Sequence, residues 1–187
     1  MLIFLLIIAN SLEGEAQQSV SQNVKLMGSA FAFTAIHSDS LLAEKATNAA
    51  IAEVTRIERL ISSWDENSET SAINKNAGIK PVKVSAELIQ LIERSMKVSK
   101  ISNGYFDISF ASIDKVWTFD GRSVQAPNKT EIENSISRIG YEKIIIDETV
   151  STVLLKGKGM KIGFGAIGKG YAANRAKQIM VEMGIEA

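Results

Sequence analysis

The sequence predicts a single α+β domain with helices packed on a mostly antiparallel sheet, and three observations carry that expectation. Apolar residues recur at helical spacing over residues 41–61 and again over 86–99. Residues 25–36, 142–146, 152–155 and 160–164 are instead β-branched, aromatic or otherwise strand-like and lie between turn signals. The chain has 187 residues, is 45% hydrophobic, and shows no repeats, linkers or low-complexity tracts, which suits one core rather than several.

The elements follow in order. Residues 25–36 (KLMGSAFAFTAI) read as a strand opened by Met27-Gly28-Ser29, with Phe31, Phe33 and Ala35 on one face. Leu42, Ala46, Ala49, Ala50, Val54, Ile57 and Ile61 set the stripe of a long helix behind the N-cap candidates Asp39 and Ser40. Residues 62–78 are polar, dense in serine, asparagine and acid around Trp64, and read as a long irregular segment of the kind that carries function. Ser85 caps a second helix over 86–99. Residues 103–117 begin with a turn signal and become aromatic and β-branched. Thr130 and Glu133 form a T-x-x-E box for a short helix ending at Gly140. Strands over 142–146 and 152–155 flank a turn at Asp147-Glu148, a third strand covers 160–164, and a last helix runs from about Gly168 to Met183.

Composition excludes several functions. Twenty-one basic residues balance twenty-one acidic ones, so no net field draws the protein to nucleic acid or anionic lipid. With no cysteine there is no disulfide, thiolate nucleophile or lipoprotein anchor. The lone His37 reads as an ordinary strand-end residue, which leaves no histidine-rich zinc site and no serine-histidine-aspartate triad. The apolar run of residues 2–9 is far shorter than the roughly 20 residues of a membrane span. Followed by Gly14-Glu15-Ala16, it reads as a signal peptide over residues 1–16 with a mature start near Gln17, although its first residues carry no lysine or arginine. A buried N-terminal strand is the alternative.

Residues 161–175, KIGFGAIGKGYAANR, nearly satisfy two nucleotide motifs at once. Gly163, Gly165 and Gly168 spell G-x-G-x-x-G, but the acidic ribose partner about 20 residues on has no place before Ala187. The G-x-x-x-x-G-K reading fails because Gly170, not a serine or threonine, follows Lys169. What both share survives: glycines that admit a ligand to the backbone, amides at a helix N-terminus, and the charge of Lys169, together suited to a phosphate. A glycine-rich turn with a solvated lysine is the plainer alternative.

Four segments, in order, carry a resemblance. M-G-S at 27–29, S-x-W-x-x-x-S-E-x-S-x-x-N at 62–74, G-Y-F-D-I-S at 104–109 and G-A-I-G-K-G-Y-A-A-N at 165–174 resemble the ApbE family of FAD:protein FMN transferases. The resemblance implies an exported, magnesium-dependent enzyme with an ApbE-like fold. Such an enzyme splits FAD, releases AMP and attaches FMN through a phosphoester to a threonine or serine of an acceptor flavoprotein subunit. It implies flavin-nucleotide contacts at Met27, Trp64, Tyr105, Phe106, Asp107 and Lys169, with the main-chain carbonyl of Ala166 as a Mg2+ ligand. No catalytic side chain is assigned, and nucleic acid and a stable transmembrane anchor are not expected. The implied location is extracytoplasmic, periplasmic or at the membrane. Read from the residues alone, Trp64 stacks on a ring or plugs its loop, Asp107 meets a ligand or caps a turn, and Phe106 belongs to the core.

The chain departs from the family at Gly163 and Asn174, where aspartate is frequent. Family members are also longer, and an aspartate and a threonine in their C-terminal part complete the metal site. Residues 17–187 are therefore expected to be the N-terminal portion of such a domain. The alternatives are a non-catalytic exported flavin binder, an inactive fragment, and an interaction domain that binds no nucleotide.

Overall fold

The computed structural model describes residues 16–113 and 128–185. The expected signal peptide lies outside the described residues but for Ala16, as does Trp117.

The chain opens with an antiparallel hairpin, β1 (Gln18–Leu26) and β2 (Ser29–His37), paired along its full length. This corrects the expectation of one strand opened by Met27-Gly28-Ser29. The polar alternation of residues 18–24 hides a second strand, and Met27-Gly28 is the turn between the two. Both turn residues have positive φ (49° and 71°), as a two-residue hairpin matched to strand twist requires. The face of β2 carrying Phe31, Phe33 and Ala35 turns inward as its alternation predicts, and His37 ends the strand with Nδ1 accepting from Asp39 N.

Helix α1 (Ser40–Ile61) follows, capped by Asp39, whose carboxylate accepts from the amides of Leu41 and Leu42. Its stripe of Ala43, Ala46, Ala50, Val54, Ile57 and Ile61 is buried against the hairpin and the last helix. The alanines let the hairpin approach closely, and the larger residues fill the space further along. Residues 62–78 are not wholly irregular. Helix α2 (Glu69–Lys75) sits inside them, capped by Ser68, and it escapes sequence reading because seven residues are too few to display a period.

A short strand β3 (Val82–Lys83) leads to α3 (Ala86–Ile101), capped by Ser85 as expected. A 3-10 turn (Ile108–Ser112) comes next. Helix α4 (Lys129–Ile136) has a capping box, but it is formed by Asn128 and Glu131 rather than Thr130 and Glu133. Asparagine caps as well as threonine does, so two overlapping boxes competed and the earlier one prevailed. The helix ends before Gly140, which instead precedes a second 3-10 turn (Tyr141–Lys143).

Strands β4 (Ile144–Asp147) and β5 (Thr152–Leu155) pair antiparallel around the expected turn, and β3 joins the other edge of β5. The described strands thus form two antiparallel sheets rather than one. The expected strand over 160–164 belongs to neither sheet. Met160, Ile162 and Phe164 are buried in strand-like alternation, but the backbone is held by side chains. Asn74 pairs with both the N–H and the C=O of Ile162, Ser112 Oγ does the same for Lys161, and Gly163 N donates to Ile108 O. The alternation reported burial correctly without specifying a neighbouring strand. Helix α5 (Gly168–Glu182) then returns along α1, burying Ala172 and Ala176.

Candidate functional site

The C-terminal end of α1, the β1–β2 turn, the 3-10 turn and the start of α5 converge on an open cavity of about 810 Å³. Met27, Trp64, Tyr105, Phe106, Asp107, Ala166 and Lys169 all line it. Residues up to 142 positions apart, and every site residue expected from the four segments, are brought to one cavity.

Each is positioned by a local device. Met27 sits in the left-handed turn and donates its N–H to Glu58 Oε1 at 2.8 Å. Ser62 ends α1 and organises the next loop: its Oγ accepts from the amides of Trp64 (3.2 Å) and Asp65 (3.0 Å), and its carbonyl accepts from Ser68 Oγ. That arrangement holds Trp64 outward, 78% exposed, and rules out the role of loop plug. Tyr105, 97% exposed, and Phe110, 66% exposed, also line the cavity. Phe106 does two jobs, packing on the core and lining the cavity.

Asp107 is a cap. Its Oδ1 accepts from Ser109 N and Oγ, both at 2.7 Å, and its Oδ2 accepts from Tyr141 N at 2.8 Å. Ser109 Oγ in turn accepts from Gly140 N. Both carboxylate oxygens are thereby engaged with the protein, so Asp107 shapes the cavity by tying the 3-10 turn to residues 140–141.

The glycine-rich stretch forms the floor. Ile167 and Gly168 donate to Phe164 O, and α5 starts with no side-chain cap. Helices α1 to α4 all have one. The α5 N-terminus lacks a side-chain cap and Lys169 in its first turn lines the cavity, a combination that favours an anion. A Cβ on Gly168 would lie 2.6 Å from Ile61 Cδ1 and 3.4 Å from Met27 Cε, so glycine is what lets α5 start against α1 and the hairpin turn. Gly163 is nearly as tight, 3.1 Å from Ala111 Cβ.

Behind the cavity, Arg56 bridges Glu53 and Glu87, Arg175 also binds Glu53, and Tyr171 Oη donates to Glu87 at 2.7 Å. This network fixes α5 to α1 and α3. The Arg56 guanidinium holds the carboxyls of Glu53 and Glu87 below their usual range. Burial, then the hydrogen bond to Glu87, pushes Tyr171 up to about 12.

Ala166 lines the cavity, but among the described residues no group of three or more histidine, cysteine, aspartate or glutamate side chains could hold a metal. Mg2+ takes near-octahedral oxygen ligation, usually with a carboxylate. The described residues alone do not fit it.

Sequence reasoning missed Glu58, Phe110 and Ile139, which also line the cavity. Glu58 follows Ile57 on a helix edge where a charged residue is unremarkable, and nothing in the sequence distinguishes it. Asn74 closes the segment 62–74, yet its role in holding Ile162 depends on a contact across 88 positions.

These features define a class, an α+β domain with a nucleotide-sized cleft whose floor is an uncapped, glycine-rich helix start. The profile of the ApbE family matches residues 27–187, and the chain belongs to that family. A FAD:protein FMN transferase of Klebsiella pneumoniae is 30% identical over 168 residues, covering 89% of this chain and 51% of that protein. One from Buchnera aphidicola is 30% identical over 129 residues, covering 67% and 38%. The ApbE protein of Thermotoga maritima superposes with a TM-score of 0.81 at 27% identity, covering 89% of this chain and 54% of its own. The flavin transferase ApbE of Vibrio cholerae shares the fold with a TM-score of 0.80 at 18% identity. The chain matches 51% and 38% of the lengths of the Klebsiella pneumoniae and Buchnera aphidicola relatives, about half or less of each.

Proposed function

We propose that this chain carries the flavin-nucleotide cleft of a FAD:protein FMN transferase. The observation that carries the reading is the uncapped start of α5, which opens with Lys169 onto a cavity rimmed by Trp64, Tyr105 and Phe110. In this reading the helix start and Lys169 bind the diphosphate of FAD, and Trp64 stacks on a ring. An acceptor threonine or serine oxygen attacks the phosphorus on the FMN side, the P–O–P bond breaks, AMP leaves, and the hydroxyl proton passes to a base. The cleft contributes positioning and charge neutralisation, the main requirements of phosphoryl-type transfer. Magnesium dependence belongs to the proposal for the whole protein, with the Ala166 carbonyl as this segment's contribution and the remaining ligands outside the described residues.

We also propose export, with processing after Ala16. In support, residues 2–9 form an apolar run followed by the small-x-small site Gly14-Glu15-Ala16. N-terminal sequencing of protein recovered from the periplasm should begin at Gln17.

The decisive experiment incubates the full-length protein with FAD and an acceptor protein, with and without Mg2+. An acceptor mass gain of one FMN less one water, with equimolar AMP, lost when Mg2+ is removed, is expected. FAD bound without AMP release would favour the non-catalytic flavin-binding reading. No flavin binding at all would overturn both.

A further inference from the structure

The geometry points to Glu58 as the positioning residue that sets the β1–β2 turn for ligand binding, an inference that rests on the flavin-nucleotide reading of the cleft. Met27 has φ 49° without being glycine or asparagine. The left-handed region costs an ordinary side chain about 1 kcal/mol or more, a cost that the strand pairing on either side of the turn offsets together with a further partner. Glu58 supplies that partner. Its Oε1 accepts the Met27 N–H at 2.8 Å, a charge-assisted bond reaching from the penultimate turn of α1 across 31 positions.

Three consequences meet at this contact. The Met27 side chain is directed towards α5, where its Cε would lie 3.4 Å from a Cβ on Gly168, so the turn packs against the helix start that faces the anion. Gly28, with nothing within 4 Å of where its Cβ would stand, leaves the turn open on the cavity side. Glu58 itself lines the cavity and is partly buried, so the bond is shielded more than a surface contact would be. Glu58 therefore acts on the ligand through Met27. Loss of its carboxylate would free the turn to leave a conformation that Met27 disfavours.

The test compares Glu58→Gln with Glu58→Ala in the full chain, reading FAD affinity by flavin fluorescence, thermal midpoint, and the amide chemical shift of Met27. Glutamine keeps an oxygen acceptor at the same reach, whereas alanine has none. Glu58→Gln should bind FAD within about threefold of wild type. Glu58→Ala should lose about tenfold or more, the fold-change expected for removing a charge-assisted hydrogen bond. The Met27 amide signal should move strongly upfield in the alanine variant only. Equal FAD affinity in wild type and Glu58→Ala, with a folded variant, overturns the positioning role. So does an equal loss in both variants, because glutamine would then have failed to rescue. Should Glu58→Ala not fold, the glutamine variant and its Met27 signal decide alone: an unperturbed signal with weakened binding overturns the inference. Wild-type protein that binds no flavin would instead sink the reading of the cleft itself, an outcome distinct from any of these.

Discussion

The floor and the rim of the cleft are built on opposite principles. On the floor, residues 160–168 are held without strand partners by Asn74, Ser112 and the backbone of Ile108, with Ile162 fully buried and Gly168 pressed against Ile61. On the rim, Trp64, Tyr105 and Phe110 expose most of their surface. Floor residues are fixed by contacts that also hold the fold together. Rim aromatics contribute little to folding, and their apolar area remains available to a ligand. Substitutions should therefore separate: floor changes lower stability and binding together, while rim changes lower binding alone.

The sharpest way to break that contrast is Asn74→Ala. It strands the buried N–H and C=O of Ile162, for an expected loss of about 3 kcal/mol, or roughly 6–12 °C in Tm for a domain of this size. Calorimetry and a flavin titration should show both quantities falling; an unchanged midpoint would mean that the floor is not held this way. Trp64→Ala is the counterpart. Its FAD affinity should fall roughly tenfold while stability stays within about 0.5 kcal/mol of wild type. A comparable loss of stability would erase the distinction between floor and rim.

The smallest effect belongs to the network behind the floor. Glu53 and Glu87 have folded pKa values held below those of the unfolded chain, so their contribution is fully present above the unfolded carboxylate range, about pH 4.3. It is lost as pH falls through their lower folded values. Tyr171 has the opposite sign: raised to about 12, it stabilises below its unfolded value near 10, and that contribution disappears as pH rises from 10 to 12. Denaturant titrations across pH 3–5 should show a modest decline that is reduced in Glu87→Gln; an undiminished decline would assign acid sensitivity elsewhere.

How far the sequence could be read follows the range of the interactions involved. Helices α1 and α3 were legible because cap and apolar period lie within the element itself. So was the antiparallel β4–β5 pair, whose turn sits between its strands. The seven residues expected at the site fall in four short segments, and folding brings them to one cleft. Helix α2 was hidden by brevity and β1 by a polar alternation that exposes one face. Asp107 looked equally able to meet a ligand or to cap, and only Tyr141, 34 positions away, shows that its second oxygen is engaged as well.

Local pattern was enough for the class of fold, the principal helices, the order of the four segments and the chemical character of the glycine-rich stretch. Those properties reside in periodicity, caps and residue types, which neighbouring positions specify. It took the folded chain to show that Met27-Gly28 is a turn and not a strand start, that residues 160–164 join neither sheet of the described residues, and that Glu58 reaches Met27. Each of these depends on a partner 31 to 88 positions away or on a strand pairing, and such partners are chosen by packing that no local pattern encodes.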